Sequence, residues 1–113
     1  MVKPTTDKKQ VSCPVETTLK VIGGRWKVLI LRELFRGVQR FGELQRALTG
    51  ITQKMLTQQL RELEADGIIH RQVYPVIPPK VEYSLTPLGE SLQPIIDEMH
   101  RWGLHYEKQV KLD

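Results

Sequence analysis

Lys54, Thr57, Gln58 and Arg61 lie within the stretch TQKMLTQQLRELEADGIIHR, which runs from Thr52 to Arg71. On a helix of 3.6 residues per turn these four fall within an arc of about 100°. Their side chains suit base edges in a major groove. Lys and Arg reach guanine O6 and N7, Gln pairs with adenine, and the Thr methyl meets the thymine methyl. Thr52 and Gln53 stand just before them, at the expected helix start. Leu56, Leu60 and Leu63 fall within about 60° of one another on the other side and form a core face. The acids Glu62, Glu64 and Asp66 come at the C-terminal end. The helix macrodipole favours acids at the N-terminus instead. An acid-free N-terminus with unpaired backbone N–H groups suits a phosphate. A helix face that is merely solvated would also be polar, so the neighbouring elements must decide between the two.

Those elements are legible. Helix one is expected over Pro14–Ile22, capped by Ser12 and stopped by Gly23-Gly24. Helix two is expected over Arg25–Arg36, apolar on so many sides that it belongs at the centre of the core. A short extended piece at Gln39–Phe41 precedes a third helix over Gly42–Leu48, which should bury Leu44, Ala47 and Leu48. Thr49-Gly50-Ile51 is a tight turn, and Thr52 then caps helix four, which ends near Ala65 with Gly67 as its stop. Two helices joined by a short turn containing Gly form a helix-turn-helix. After Gly67 the period changes to two, giving strands over Ile68–Tyr74 and Lys80–Leu85 around a Pro75-Val76-Ile77-Pro78-Pro79 tip. A last helix opens at Thr86-Pro87 and runs to Lys108, with a kink or restart at Pro94. The fold class is therefore α+β, mainly α: a winged helix-turn-helix with a C-terminal dimerisation helix. Residues 1–11 are expected to form a flexible arm, 12–108 the domain and 109–113 a tail.

The charge fits an anionic partner. Residues 1–40 hold nine Lys/Arg against three Asp/Glu, which is +6, and residues 41–113 hold eight against ten, which is −2. Such asymmetry points first to nucleic acid. Lys80 lies just behind the hairpin tip. Arg25 and Lys27 open helix two, and Arg36 and Arg40 flank the turn that follows it; each is a candidate for phosphate. No signal peptide or membrane span is visible, so a cytoplasmic location is expected.

The last helix carries an apolar stripe. Leu88, Leu92, Ile95, Ile96, Met99, Trp102 and Tyr106 recur along it, nearly all at spacings of three and four. A small helical core cannot cover all of it, and exposed apolar surface marks an interface. A two-fold dimer would set two recognition helices about 34 Å apart, one turn of DNA.

These segments resemble the HxlR-type winged-helix transcriptional regulators of bacteria, relatives of the MarR group. The resemblance rests on CPVETTLKVIGGRWKVLILREL, then RFGELQRALTGITQKMLTQQLRELEADGIIHR, then YPVIPPKVEYSLTPLGESL. It covers about Cys13 to Gly103. It implies a homodimer that binds a pseudo-palindromic double-stranded operator, usually as a repressor and sometimes as an activator. It maps the recognition helix onto Thr52–Ala65 and the wing onto Ile68–Thr86. It also implies a role for Cys13, because some members of the family sense oxidants or electrophiles at this Cys-Pro position. The physics permits that role: a thiol in a helix's first turn meets the positive end of the dipole, which favours thiolate. The alternative is a small buried hydrophobe, common for free cysteine.

Other chemistries find little support. A nucleophilic cysteine needs an activating base, and His70, His100 and His105 are all far along the chain from Cys13. No phosphate-cradling Gly-rich loop and no Cys/His cluster for a metal is present, so no enzyme activity, metal or cofactor is expected. The rival reading is a winged helix used as a protein-interaction module without specific DNA binding.

Overall fold

Glycine, proline and capping side chains set most of the element boundaries. The computed structural model describes residues 13–110. The expected arm and residues 111–113 of the expected tail lie outside the described residues, as does Ser12, whose expected capping position is held by Cys13 because the helix starts at Pro14.

Helix α1 spans Pro14–Ile22, with Cys13 as its N-cap residue. The Cys13 carbonyl accepts from the Glu16 N–H at 2.8 Å. Helix α2 spans Trp26–Phe35, one residue inside each expected bound. The strand β1, Gln39–Arg40, leads directly into α3, Phe41–Ala47. Helix α4 spans Gln53–Ala65. The hairpin strands are β2, Ile69–Tyr74, and β3, Lys80–Leu85. Helix α5 is one turn, Pro87–Glu90, and α6 runs from Gln93 to Val110.

The last helix therefore divides in two, and the restart falls just ahead of Pro94. Proline lacks an N–H but costs little in a first turn, so α6 begins where Pro94 fits. The run to Val110 takes in the first two residues of the expected tail.

The three strands form an antiparallel sheet in the order β1-β3-β2. Register within the hairpin runs from Ile69 opposite Leu85 to Tyr74 opposite Lys80. Gln39 lies opposite Tyr83, which ties the start of α3 to the wing. At the base of the hairpin, the Thr86 hydroxyl donates to the Gly67 carbonyl at 2.6 Å and accepts from the Gly89 N–H at 3.0 Å.

One core holds these elements. Ile30, Leu31 and Leu34 of α2 meet Leu44 of α3 and Leu56, Leu60 and Leu63 of α4. Ile68, Ile69, Tyr83 and Ile96 complete it. Each fully buried Leu or Ile contributes roughly 1.5–3 kcal/mol relative to exposure. Helix α2 touches α3, α4, α6 and β3, which gives it the central place its composition required. Ala47, expected inside, is exposed: it ends α3 on the outer side, and Leu48 takes the buried position.

Candidate nucleic-acid interface

The start of α4 is fixed by its own cap. The Met55 N–H donates to Thr52 Oγ1 at 3.1 Å, so Thr52 satisfies one of the free N–H groups. Gly50 makes the preceding turn with φ +95, a backbone region that side chains disfavour. The C-terminus closes as a Schellman motif. The Ile68 N–H reaches the Leu63 carbonyl at 2.9 Å and the Gly67 N–H reaches Glu64 at 3.0 Å, with Gly67 at φ +76. Both ends are thus set by local chemistry, and three fully buried leucines seat the inner face.

The outer face is an open groove lined by Gln53, Lys54, Thr57, Gln58 and Arg61. This brings together five of the residues singled out from the sequence. Among the described residues, Lys54 and Arg61 form no ion pair, so both cations are left for an external anion. No acid stands in the first turn of α4. Thr57 uses its hydroxyl on the Gln53 carbonyl at 2.8 Å, which leaves the methyl as its outward offering.

The remaining candidates sit in different surroundings. Lys80 ion-pairs with Glu82 at 3.4 Å and lies 4.8 Å from the centre of the Tyr74 ring. The Tyr74 hydroxyl donates to the same Glu82 at 3.1 Å. That bond and the carboxylate's charge hold the Tyr74 phenol above its ordinary value. Lys80 is therefore shared within the wing. Arg25 is exposed at the start of α2, its guanidinium 4.6 Å from the centre of the Trp26 ring. Arg40 is exposed ahead of α3, and its backbone N–H donates to Glu43 Oε1 at 2.7 Å.

Lys27 departs from the expectation of a phosphate contact. Only 8% of it is exposed, and its ammonium lies 2.6 Å from Glu62 Oε1 on α4. A buried lysine needs a carboxylate partner, and α4 packs on α2 closely enough to supply one. Glu62 Oε2 in turn accepts from Gln58 Nε2 at 3.3 Å. The hydrogen bond to Lys27, then that to Gln58, holds the Glu62 carboxyl below its ordinary value. The Gln58–Glu62 pair was not singled out in the sequence, although its i, i+4 spacing on one helix carried the signal. Lys27 belongs to another element and carried no such signal.

On α6 the expected stripe splits. Ile96 is 1% exposed and belongs to the monomer core, and Leu92 packs half-buried against that core. The reason is angular: the residues that face α2 cannot also face outward. Ile95, Met99, Trp102 and Tyr106 stay exposed, with the Trp102 and Tyr106 rings stacked at 5.2 Å. Val15 and Leu19 on α1 are exposed as well. They were not singled out in the sequence, although their i, i+4 spacing marks a shared face. Cys13 is exposed in the single chain and is not part of its core. No helix of the described residues is long and apolar enough to cross a membrane.

A tight-turned helix pair followed by a hairpin on the same sheet defines the winged helix-turn-helix class. Comparison with known proteins narrows it. The family model for HxlR-like helix-turn-helix proteins matches residues 21–111, and the chain belongs to that family of transcriptional regulators. YdeP of Bacillus subtilis, an HTH-type transcriptional regulator, is 55% identical over 98 residues, spanning 87% of this chain and 77% of that one. The redox regulator HypR in its oxidised form superposes with a TM-score of 0.79 at 57% identity, covering 82% of this chain and 96% of that chain. Its reduced form gives a TM-score of 0.81 at 54% identity, covering 87% and 96%.

Proposed function

We propose that the chain is a homodimeric, sequence-specific DNA-binding repressor whose operator affinity responds to oxidants at Cys13. The observation that carries the DNA reading is the α4 groove. Five long or small polar side chains line it, its two cations lack ionic partners among the described residues, and its N-terminal half is free of acids. In a helix-turn-helix that half of the second helix enters the major groove. Gln53, Lys54, Thr57, Gln58 and Arg61 then face base edges. Thr52, Arg25, Arg40 and Lys80 are the candidates for the phosphate contacts that set register.

The exposed faces of α1 and α6 support the dimer. Val15 and Leu19 on α1, and Ile95, Met99, Trp102 and Tyr106 on α6, are exposed apolar side chains that a second copy would cover. The operator would then be a pseudo-palindrome of double-stranded DNA, and the protein would work in the cytoplasm where DNA is.

The redox element rests on two supports. Cys13 is a free, exposed thiol at the N-cap of α1, and similar structures belong to a redox regulator. Two Cys13 thiols, one from each protomer, can join as a disulfide. The two protons and two electrons released are taken up by an oxidant such as diamide. A single thiolate can instead be alkylated by an electrophile.

The test is binding to a duplex from the chain's own upstream region, reduced and then diamide-treated, across a salt series with competitor DNA. Specific binding that weakens on oxidation, and that Cys13→Ser makes indifferent to diamide, supports the whole reading. Specific binding that Cys13→Ser leaves fully sensitive to diamide removes Cys13 from it. Salt-insensitive association with no sequence preference on any genomic promoter overturns the DNA reading.

A further inference from the structure

We infer that Lys27 and Glu62 are positioning residues that set the side-chain amide of Gln58 for adenine. This rests on the proposal that α4 reads bases. The chain of contacts runs from α2 to the groove. The Lys27 ammonium holds Glu62 Oε1 at 2.6 Å, and Glu62 Oε2 accepts from Gln58 Nε2 at 3.3 Å. Lys27 is 8% exposed and has little room to leave. Glu62 is less confined, its side chain 44% exposed, so its place depends on Lys27.

The chemistry at Gln58 follows from what each group can do. A carboxylate only accepts hydrogen bonds, whereas a glutamine amide has an NH2 face and a carbonyl face. Glu62 therefore turns the NH2 group of Gln58 toward itself and the carbonyl Oε1 away. One N–H and the Oε1 remain free. That is the donor and acceptor pair that adenine matches with N7 and N6–H. A flipped amide would present its groups in the reverse order and lose the match. Lys27 matters because it keeps the carboxylate ionised and in place. Its role in DNA binding is thus indirect, exerted through a side chain it does not touch.

This assigns a function to the one candidate cation that the fold buries. It also accounts for an acid within the turn that follows Gln58, on a helix that faces a polyanion. Glu62 sits over the α2 side of α4, where its charge is met by Lys27.

The experiment selects sites from a random-sequence duplex library with wild type, Gln58→Ala, Lys27→Met, Lys27→Arg and Glu62→Gln. It then measures affinity for the enriched site, for single-base changes in it, and for a scrambled duplex across salt. Wild type should enrich an A·T pair at a position where Gln58→Ala alone loses preference. Lys27→Met and Glu62→Gln should lose about tenfold or more of the discrimination at that same position, the size of one lost bidentate contact. Glu62→Gln keeps the size but can donate as well as accept, so it no longer forces the amide. Lys27→Arg should retain the preference. Binding of Lys27→Met to the scrambled duplex should keep the wild-type salt slope. Should Lys27→Met fail to fold, Lys27→Met/Glu62→Leu replaces the pair with apolar side chains and should show the same single-position loss.

Full discrimination in folded variants lacking the Lys27–Glu62 pair overturns the inference and leaves the reading by α4 standing. A salt slope lowered by about one in Lys27→Met would place Lys27 on a phosphate and overturn it too. No enriched sequence with wild type overturns both.

Discussion

Helices α4 and α6 are both amphipathic, yet they turn opposite chemistries to solvent. On α4 the leucines at 56, 60 and 63 are all inside, and the outer face is Lys, Thr, Gln and Arg. On α6 only Ile96 is fully inside, and the outer face is Ile95, Met99, Trp102 and Tyr106. The monomer core thus takes most of what α4 has to bury and little of what α6 has. The contrast teaches where each helix's stability comes from. Helix α4 is complete within one chain and turns its polar side to solvent. Helix α6 is anchored at one end and leaves an apolar side that water cannot satisfy.

The largest effects should fall on the inner side of α4. Leu63→Ala removes a fully buried side chain at the joint of α4 and the sheet, and should cost about 2–5 kcal/mol in urea unfolding. The contrasting change is Trp102→Asp on α6, where the wild-type side is 63% exposed. It should leave the monomer folded but weaken self-association by about 2 kcal/mol or more, as loss of an aromatic anchor does. Sedimentation at several concentrations reads this directly. If Trp102→Asp unfolds the chain, or if dimer mass persists at wild-type dilution, the two helices are not divided as described.

The outer side of α4 comes next. Arg61→Ala should reduce operator discrimination by about 1–3 kcal/mol while leaving the unfolding midpoint near wild type. An unchanged preference would remove Arg61 from the reading set. Lys54→Ala should lower the salt slope of binding by about one. Lys80→Ala should lower it by less, because Glu82 already shares that charge within the wing. Equal slopes for the two would mean that DNA draws Lys80 away from Glu82.

Where the sequence succeeds and where it fails follows from the range of the interactions. The course of α4, from the Thr52 cap to the Gly67 stop, was readable because caps and periodicity act within a few residues. The hairpin was readable for the same reason, through the alternation of Val81, Tyr83 and Leu85. Lys27 was misplaced because its partner is 35 positions later and belongs to a helix whose rotation about its axis only packing decides. Ile96 was placed outside for a related reason. A continuous apolar stripe does not say where the core ends and an interface begins. That line depends on how far α2 reaches along α6. Pro94 marked the restart of the last helix, but the side of the proline on which the break falls depends on the first-turn tolerance for a missing N–H.

The smallest effect falls at Glu62, where α4 faces α2 and solvent at once. Glu62 is held below its ordinary value of 4.5 by its hydrogen bond from Lys27, then by that from Gln58, then by the charge of Lys27, while burial opposes them. A lowered value in the folded state means that the unfolded chain takes up its proton first. The contribution of the ionised carboxylate is therefore fully present above about pH 4.5 and fades as pH falls through the folded value. Nothing should change between pH 7 and 5. Below that, the stability advantage of wild type over Glu62→Gln should shrink, as followed by urea midpoints down to pH 3. The effect is modest because the carboxylate remains 44% exposed to screening. Subtracting the Glu62→Gln curve removes the acid response of every other carboxyl, so what remains reports Lys27 and Gln58 acting on this one group. A difference that stays constant to pH 3 would mean that Lys27 does not hold the carboxylate. The outer face of α4 would then owe its arrangement to solvent rather than to α2.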